Sequence, residues 1–196
     1  MRKICTKAFF LFLLFLCLSC ATATQDSDIN NQVDIVLEIA NIYHKNGDYA
    51  LEEQTLKGFI DQNGRINNKI NFNLALIYYN NAEYQKAIDI CTSEFKRSPE
   101  FLDYLRINAK CYEKLEKVND CIDTYETLIA STNANNDDFK DYIEYLLKIN
   151  DNENALRVVR IAIDERYLFS KELLSLALKL DSENREYIIL NDNIID

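Results

Sequence analysis

Proline occurs once and glycine three times in 196 residues, tryptophan is absent, and His44 is the sole histidine. So few turn-forming residues exclude a turn-rich β-sandwich and a low-complexity chain, and favour long helices with short connections. Three glycines leave little room for a phosphate-cradling loop, and one histidine cannot supply a two-histidine zinc-protease motif. Basic residues are also in the minority, 22 Lys and Arg against 32 Asp and Glu, for a net charge of -10. Nucleic acid binding needs a clustered positive surface, so no nucleic acid partner is expected. Missing as well is any apolar run long enough to stay in a bilayer: the longest, from Ala8 to Leu18, falls short of the roughly 20 residues a spanning helix needs.

What that short run does have is a basic entry and a small-residue exit. Arg2, Lys3 and Lys7 precede it and Ser19-Cys20 follow, the pattern of an export signal. Removing these basic residues with the leader, at no cost in acids, takes the net charge from -10 to -13. Cys17-Leu18-Ser19-Cys20 resembles the lipobox of bacterial lipoproteins, with Cys17 where an aliphatic residue is usual, a looseness similar to spirochaete boxes. The resemblance implies a signal peptide over 1–19 and lipid, palmitate included, on Cys20; ordinary secretion is the competing reading. Residues 20–32 are mostly polar and aperiodic and read as a lipidated cysteine with its tether.

Of six cysteines, Cys5 and Cys17 leave with the leader and Cys20 carries the lipid. Cys91, Cys111 and Cys121 remain, an odd number that allows at most one bridge. Their spacing lacks the close pair of a structural zinc site, and their places among apolar helical positions make them core residues. No metal or cofactor is implied.

Internal repetition is the strongest signal. Ala87, Cys121 and Ala155 stand 34 residues apart, as do Ala75, Ala109 and Ile143, and Tyr78, Tyr112 and Leu146. In the clearest unit Ile70, Leu74, Ile77 and Tyr78 line one helix and Ala87, Ile88, Cys91 and Phe95 a second. Asn80-Asn81 marks the break between them, and Pro99 blocks continuation. One such pair cannot bury its apolar side alone, so pairs must stack. A non-repetitive bundle is the alternative, and three ladders in one register argue against it.

These residues resemble the tetratricopeptide repeat, which favours Leu at position 7, a small residue at 8, Tyr at 11, an aromatic at 17, Ala at 20 and Pro at 32. Leu74, Ala75, Tyr78, Tyr84, Ala87 and Pro99 match in the unit 68–101. Ala109 and Tyr112 match in 102–135, and Ala155 in 136–169. Ala40, Tyr43 and Tyr49 match in 33–67, with Glu52 where alanine is usual and one extra residue near Asn63-Gly64. The resemblance implies an all-α fold, a right-handed α-solenoid of antiparallel helix pairs over 33–169. Capping helices would follow over 170–196, the first from Lys171 to Leu180 and a shorter one from Glu183 to Leu190.

By the same resemblance a concave groove is lined by positions 2, 5, 9, 12 and 13 of each unit. Its expected partner-binding residues are Asn41, His44, Lys69, Phe72, Leu76, Tyr79, Arg106, Lys110 and Lys148. Across all such positions seven cations, Lys45, Lys69, Arg106, Lys110, Lys114, Lys140 and Lys148, outnumber five acids, Asp34, Asp103, Glu113, Asp137 and Glu144. A locally basic, aromatic groove suits an acidic or extended peptide, with Phe72 and Tyr79 as anchors. The blander alternative leaves the cations facing water and Phe72 packed on a neighbouring helix. Asn41 and Asn73 sit where a carboxylate clamp places its asparagines, but Leu37, Asp103 and Ile107 stand where it needs cations, so no clamp is expected. No nucleophile or base partner for His44 is announced, so the chain is not read as an enzyme.

The expectation is therefore a membrane-tethered protein–protein interaction module of the bacterial cell envelope, at the outer membrane rather than the inner. It would bind a protein or peptide, for instance an envelope-assembly or cell-wall protein. The alternative is a structural or self-associating spacer that contacts the cell wall.

Overall fold

The computed structural model describes residues 29–63, 67–98, 102–165 and 170–193. The expected signal peptide, the expected lipidation site Cys20, the expected tether up to residue 28, Gly64 and Pro99 lie outside the described residues. Among those described there are ten α-helices and no strand. α1 spans 29–46, followed by α2 (Tyr49–Asn63), α3 (Asn68–Asn80), α4 (Tyr84–Arg97) and α5 (Asp103–Lys114). Then come α6 (Val118–Ala130), α7 (Asn136–Lys148) and α8 (Asn152–Arg160), a π turn at Ile161–Glu165, α9 (Lys171–Leu180) and α10 (Arg185–Asn193). The chain divides into two compact units, Met1–Leu74 and Ala75–Asp196.

Short polar residues start the helices. Asn67 accepts from the backbone N–H groups of Lys69 and Ile70, and Asp151 from that of Asn154. Ser170 accepts from the N–H of Leu173, and Asn184 from those of Glu186 and Tyr187. Each satisfies donors that a first helical turn leaves unpaired. The Asn184 cap explains why α10 begins at Arg185 and not at Glu183. α1 also departs from expectation, because 29–32 are its first turn and not the end of a tether. Ile29, Val33, Val36 and Ala40 recur at helical spacing, and burial of Val33 fixes the turn that precedes it.

One backbone device ends the first helix of every repeat. Gly47, Ala82, Glu116 and Asn150 all adopt positive φ, between 55 and 79°. Each is the fifteenth residue of its repeat, counted from 33, 68, 102 and 136. The N–H that follows each one reaches back to the carbonyl of Tyr43, Tyr78, Tyr112 or Leu146 at 2.8–3.0 Å. The N–H of the positive-φ residue itself bonds the carbonyl three residues back, completing a Schellman closure. The helix break read at Asn80-Asn81 is thus made one residue later, at Ala82.

Burial follows the same register. The eighth positions Ala40, Ala75, Ala109 and Ile143 are buried, as are Ala87, Cys121 and Ala155 at the twentieth. At the third, seventh and tenth positions Ile70, Leu74 and Ile77 are buried in the second repeat, and Tyr104, Asn108 and Cys111 in the third. Asp138, Tyr142 and Tyr145 complete the set in the fourth. In the second unit α4 packs on α5, α5 on α6, α6 on α7 and α7 on α8, and α9 closes over α7 and α8 with α10 against it. Cys91, Cys111 and Cys121 are free and buried.

Candidate functional site

Within the second unit the C-terminal end of α3, the outer face of α5 and the outer face of α7 converge on a recess of about 400 Å³. Tyr79, Lys110, Glu113, Lys114, Glu144 and Lys148 line it, all from the positions expected to face a groove. Tyr125, Asp141 and Tyr145 line it as well. Its size falls within the range of small-ligand and side-chain pockets.

The floor is aromatic. Tyr125 stacks on Tyr142 with ring centroids 5.0 Å apart and 9° between planes, and Tyr145 leans on Tyr125 at 5.9 Å. Burial pushes the phenols of Tyr125, Tyr142 and Tyr145 well above their ordinary range, so they stay neutral. The Tyr142 hydroxyl donates to Glu126 Oε1 at 2.6 Å, and Arg157 pairs with the same carboxylate. Burial raises the Cys121 thiol to about 11, which leaves it a protonated neighbour beneath the recess. Tyr79 sits at the edge, half-buried, with its ring 5.7 Å from that of Tyr84.

The rim is charged but balanced. Lys148 Nζ donates to Glu113 Oε1 at 2.9 Å, and Lys110 Nζ lies 3.8 Å from Asp141 Oδ2. The Glu113 partner raises the ammonium of the exposed Lys148. At Asp141 the order of effects is reversed: burial raises its carboxyl above the ordinary value, and Lys110 and Lys140 only partly oppose that. Lys114 and Glu144 are exposed and have no ion pair among the described residues. Three lysines thus meet three carboxylates, and the basic excess expected from sequence is absent from this recess.

Arg106, expected to bind a partner, is committed elsewhere. Its Nε and Nη2 donate to the two oxygens of Asp138 at 2.7 and 2.8 Å, and Nη1 donates to Asp103 at 2.6 Å. The bond to Asp138 is the main reason its guanidinium is held even more firmly protonated than usual. Asp138 is buried and also accepts from the backbone N–H of Asn135 at 2.9 Å, closing a capping box at the start of α7. The planar fork of Arg106 therefore ties α5 to the N-terminus of α7.

Of the remaining expected residues, Leu76 is half-buried on α3. Asn41, His44, Lys69 and Phe72 belong to the first unit and do not line this recess. Asn41 is exposed and Phe72 half-buried. Lys69 Nζ reaches Asp34 Oδ1 at 3.3 Å, an exposed pair that contributes little to stability. His44 has the partner that sequence did not announce: its Nδ1 lies 3.0 Å from Oε2 of Glu52, and its ring meets that of Tyr49 edge-on at 5.5 Å. Glu52 is buried at the twentieth position, where later repeats carry Ala87, Cys121 and Ala155.

The lining residues that sequence reasoning missed had a legible signal on α7. Asp141, Glu144, Tyr145 and Lys148 recur at helical spacing and so share one face. Tyr125 is different, since it comes from the second helix of a repeat, α6, and every expected groove position lies on a first helix.

A family model described as anaphase-promoting complex, cyclosome, subunit 3 matches residues 61–128. No curated protein sequence matches the chain. Among solved structures the chain is similar to a tetratricopeptide repeat protein from Parabacteroides merdae at 15% identity and a TM-score of 0.63, covering 80% of this chain and 63% of that one. It therefore spans less than two thirds of that relative. It is also similar to MamA from Desulfovibrio magneticus, at 11% identity and a TM-score of 0.59, covering 81% and 89% of the two chains. A kinesin-light-chain-type protein from Podospora anserina with nearly identical TPR-like repeats gives 14% identity and a TM-score of 0.57, covering 82% and 92%. At these identities the likeness is one of fold: an all-α solenoid of TPR-like helix pairs.

Proposed function

We propose that the chain is a protein-interaction module which holds an extended segment of a partner in the recess between Tyr79 and Lys148, and that lipid on Cys20 tethers it to an envelope membrane. TPR-like repeat proteins typically form non-enzymatic scaffolds that bind proteins or peptides. The recess carries the reading: an edge tyrosine, a buried tyrosine floor and one charge of each sign, Lys114 and Glu144, with no ion pair among the described residues, stand around one hollow. Such a surface offers Tyr79 as an anchor and lysine stems as apolar walls. Its balanced charge suits a segment that bears both signs, and a purely acidic one gains less. Support for the tether comes from the basic, apolar and small-residue order of the leader ending at Cys20.

A photo-crosslinking amino acid at position 114 of the full chain, expressed in intact cells, tests the recess. Capture of one envelope protein in near-stoichiometric yield is expected, and it should vanish in Tyr79→Ala with Lys148→Ala while circular dichroism stays unchanged. Crosslinks that persist in the double variant would overturn the recess. Cys20→Ala should move the protein from the membrane to the soluble fraction, and its retention in the membrane would overturn the lipid tether.

A further inference from the structure

The third, seventh and tenth positions of the second, third and fourth repeats are all buried, none of them more than 5% exposed. In the first repeat the same positions are Ile35, Ile39 and Ile42, and they are 57%, 40% and 52% exposed. All three are large and apolar, and their spacing of four and three residues sets them in one stripe along α1. α1 thus carries a face of the kind that each later repeat covers, and nothing among the described residues covers it. Terminal repeats are normally made soluble by a polar outer face, so a bare stripe of three isoleucines calls for a cover.

We infer that a second copy of this chain supplies that cover, with the two α1 helices packed antiparallel about a two-fold axis through their Ile35, Ile39 and Ile42 stripes. The charges beside the stripe favour this occupant. Asp34, Glu38 and Lys45 fall on one flank of it, the acids toward the N-terminus and the lysine toward the C-terminus, and all are exposed. A two-fold axis across the helices sets that flank beside its own copy in reverse, so the acidic end of each helix meets the Lys45 end of the other. The helix dipoles then also oppose. Asp34 already bridges Lys69, which leaves Glu38 to Lys45 of the second copy as the pair that sets direction. A lipid surface is the poorer cover, because amphipathic helices that lie on membranes are flanked by several cations and this flank carries two acids. Two-fold pairing buries the stripe in a closed dimer, where head-to-tail pairing would give open chains.

Sedimentation velocity on the full chain, purified in mild detergent, tests this over a range of concentrations. A monomer–dimer equilibrium is expected, and Ile39→Glu should weaken it by at least about thirtyfold, with helicity unchanged and melting unchanged at concentrations where the chain is monomeric. Glu38→Lys alone and Lys45→Glu alone should each weaken the dimer, and the two together should restore it. Ile39→Cys should be joined to its own copy by a short bismaleimide. A monomer at every concentration, open polymers, or a dimer indifferent to Ile39→Glu would overturn the inference. So would vesicle binding that depends on Ile39 without dimerisation, or a monomer whose own N-terminal segment protects the stripe. None of the stripe residues lines the recess, so Ile39→Glu should leave partner capture at position 114 intact, and the two readings fail separately.

Discussion

Arg106 was illegible as a structural residue because its partner is distant in sequence. Asp138 lies 32 residues on, brought near by the packing of α7 along α5, and a groove register alone makes Arg106 look like a binding cation. Truncating it would strand a buried carboxylate, so Arg106→Ala should lower stability by about 2–4 kcal/mol. The check is a lower urea midpoint at unchanged slope. Arg106→Lys should recover only part of the loss, because an ammonium cannot reproduce the bidentate fork. Asp141 is subject to the opposite balance. Its carboxyl is raised above the ordinary 3.8, chiefly by burial, so the folded chain holds that proton more tightly than the unfolded chain does. The group's contribution is then most favourable below 3.8 and is lost as pH rises from 3.8 through its folded value. Asp141→Asn should therefore raise the melting temperature near neutrality and change it little in acid well below 3.8. A variant that melts lower near neutrality would mean that the Lys110 pair outweighs burial.

At the scale of the element, the helices were readable and their stops were not. The 34-residue ladders named the buried faces of α3 to α8 because period 3.6 and the demand for small residues at close approaches leave plain marks in sequence. The left-handed closures left such a mark at Gly47 and, more weakly, at Asn150. Ala82 and Glu116 adopt the same conformation with side chains that disfavour it, since the next turn begins correctly only if the chain reverses there. Ala82→Gly should accordingly stabilise the protein by about 0.5–1 kcal/mol, the relief of the left-handed cost less the extra freedom of glycine in the unfolded chain. Asn150→Gly should give less, because asparagine tolerates this conformation. Thermal melts of the single variants check both, and a destabilised Ala82→Gly would mean that the Ala82 methyl makes contacts worth more than the strain.

For the molecule as a whole, composition and periodicity were enough to read stacked pairs of helices, and the resemblance to the tetratricopeptide repeat implied the all-α solenoid they form. The candidate site was legible only as a list of positions on first helices. Which of those positions share a hollow, and which cations are already neutralised, depends on contacts between helices that no local pattern carries. The difference is measurable as salt dependence. A groove of free lysines on a chain of net charge -10 would draw an acidic segment strongly at low salt and release it by tenfold or more, in order of magnitude, as salt rises. In this recess Lys148 and Lys110 already face Glu113 and Asp141, so a partner exchanges one screened pair for another. Capture should then weaken by less than about threefold between low and high salt, with Tyr79 and the apolar lysine stems carrying most of the affinity. A steep fall with salt, retained in Tyr79→Ala, would mean that the lysines leave their intramolecular carboxylates to bind and that charge governs recognition.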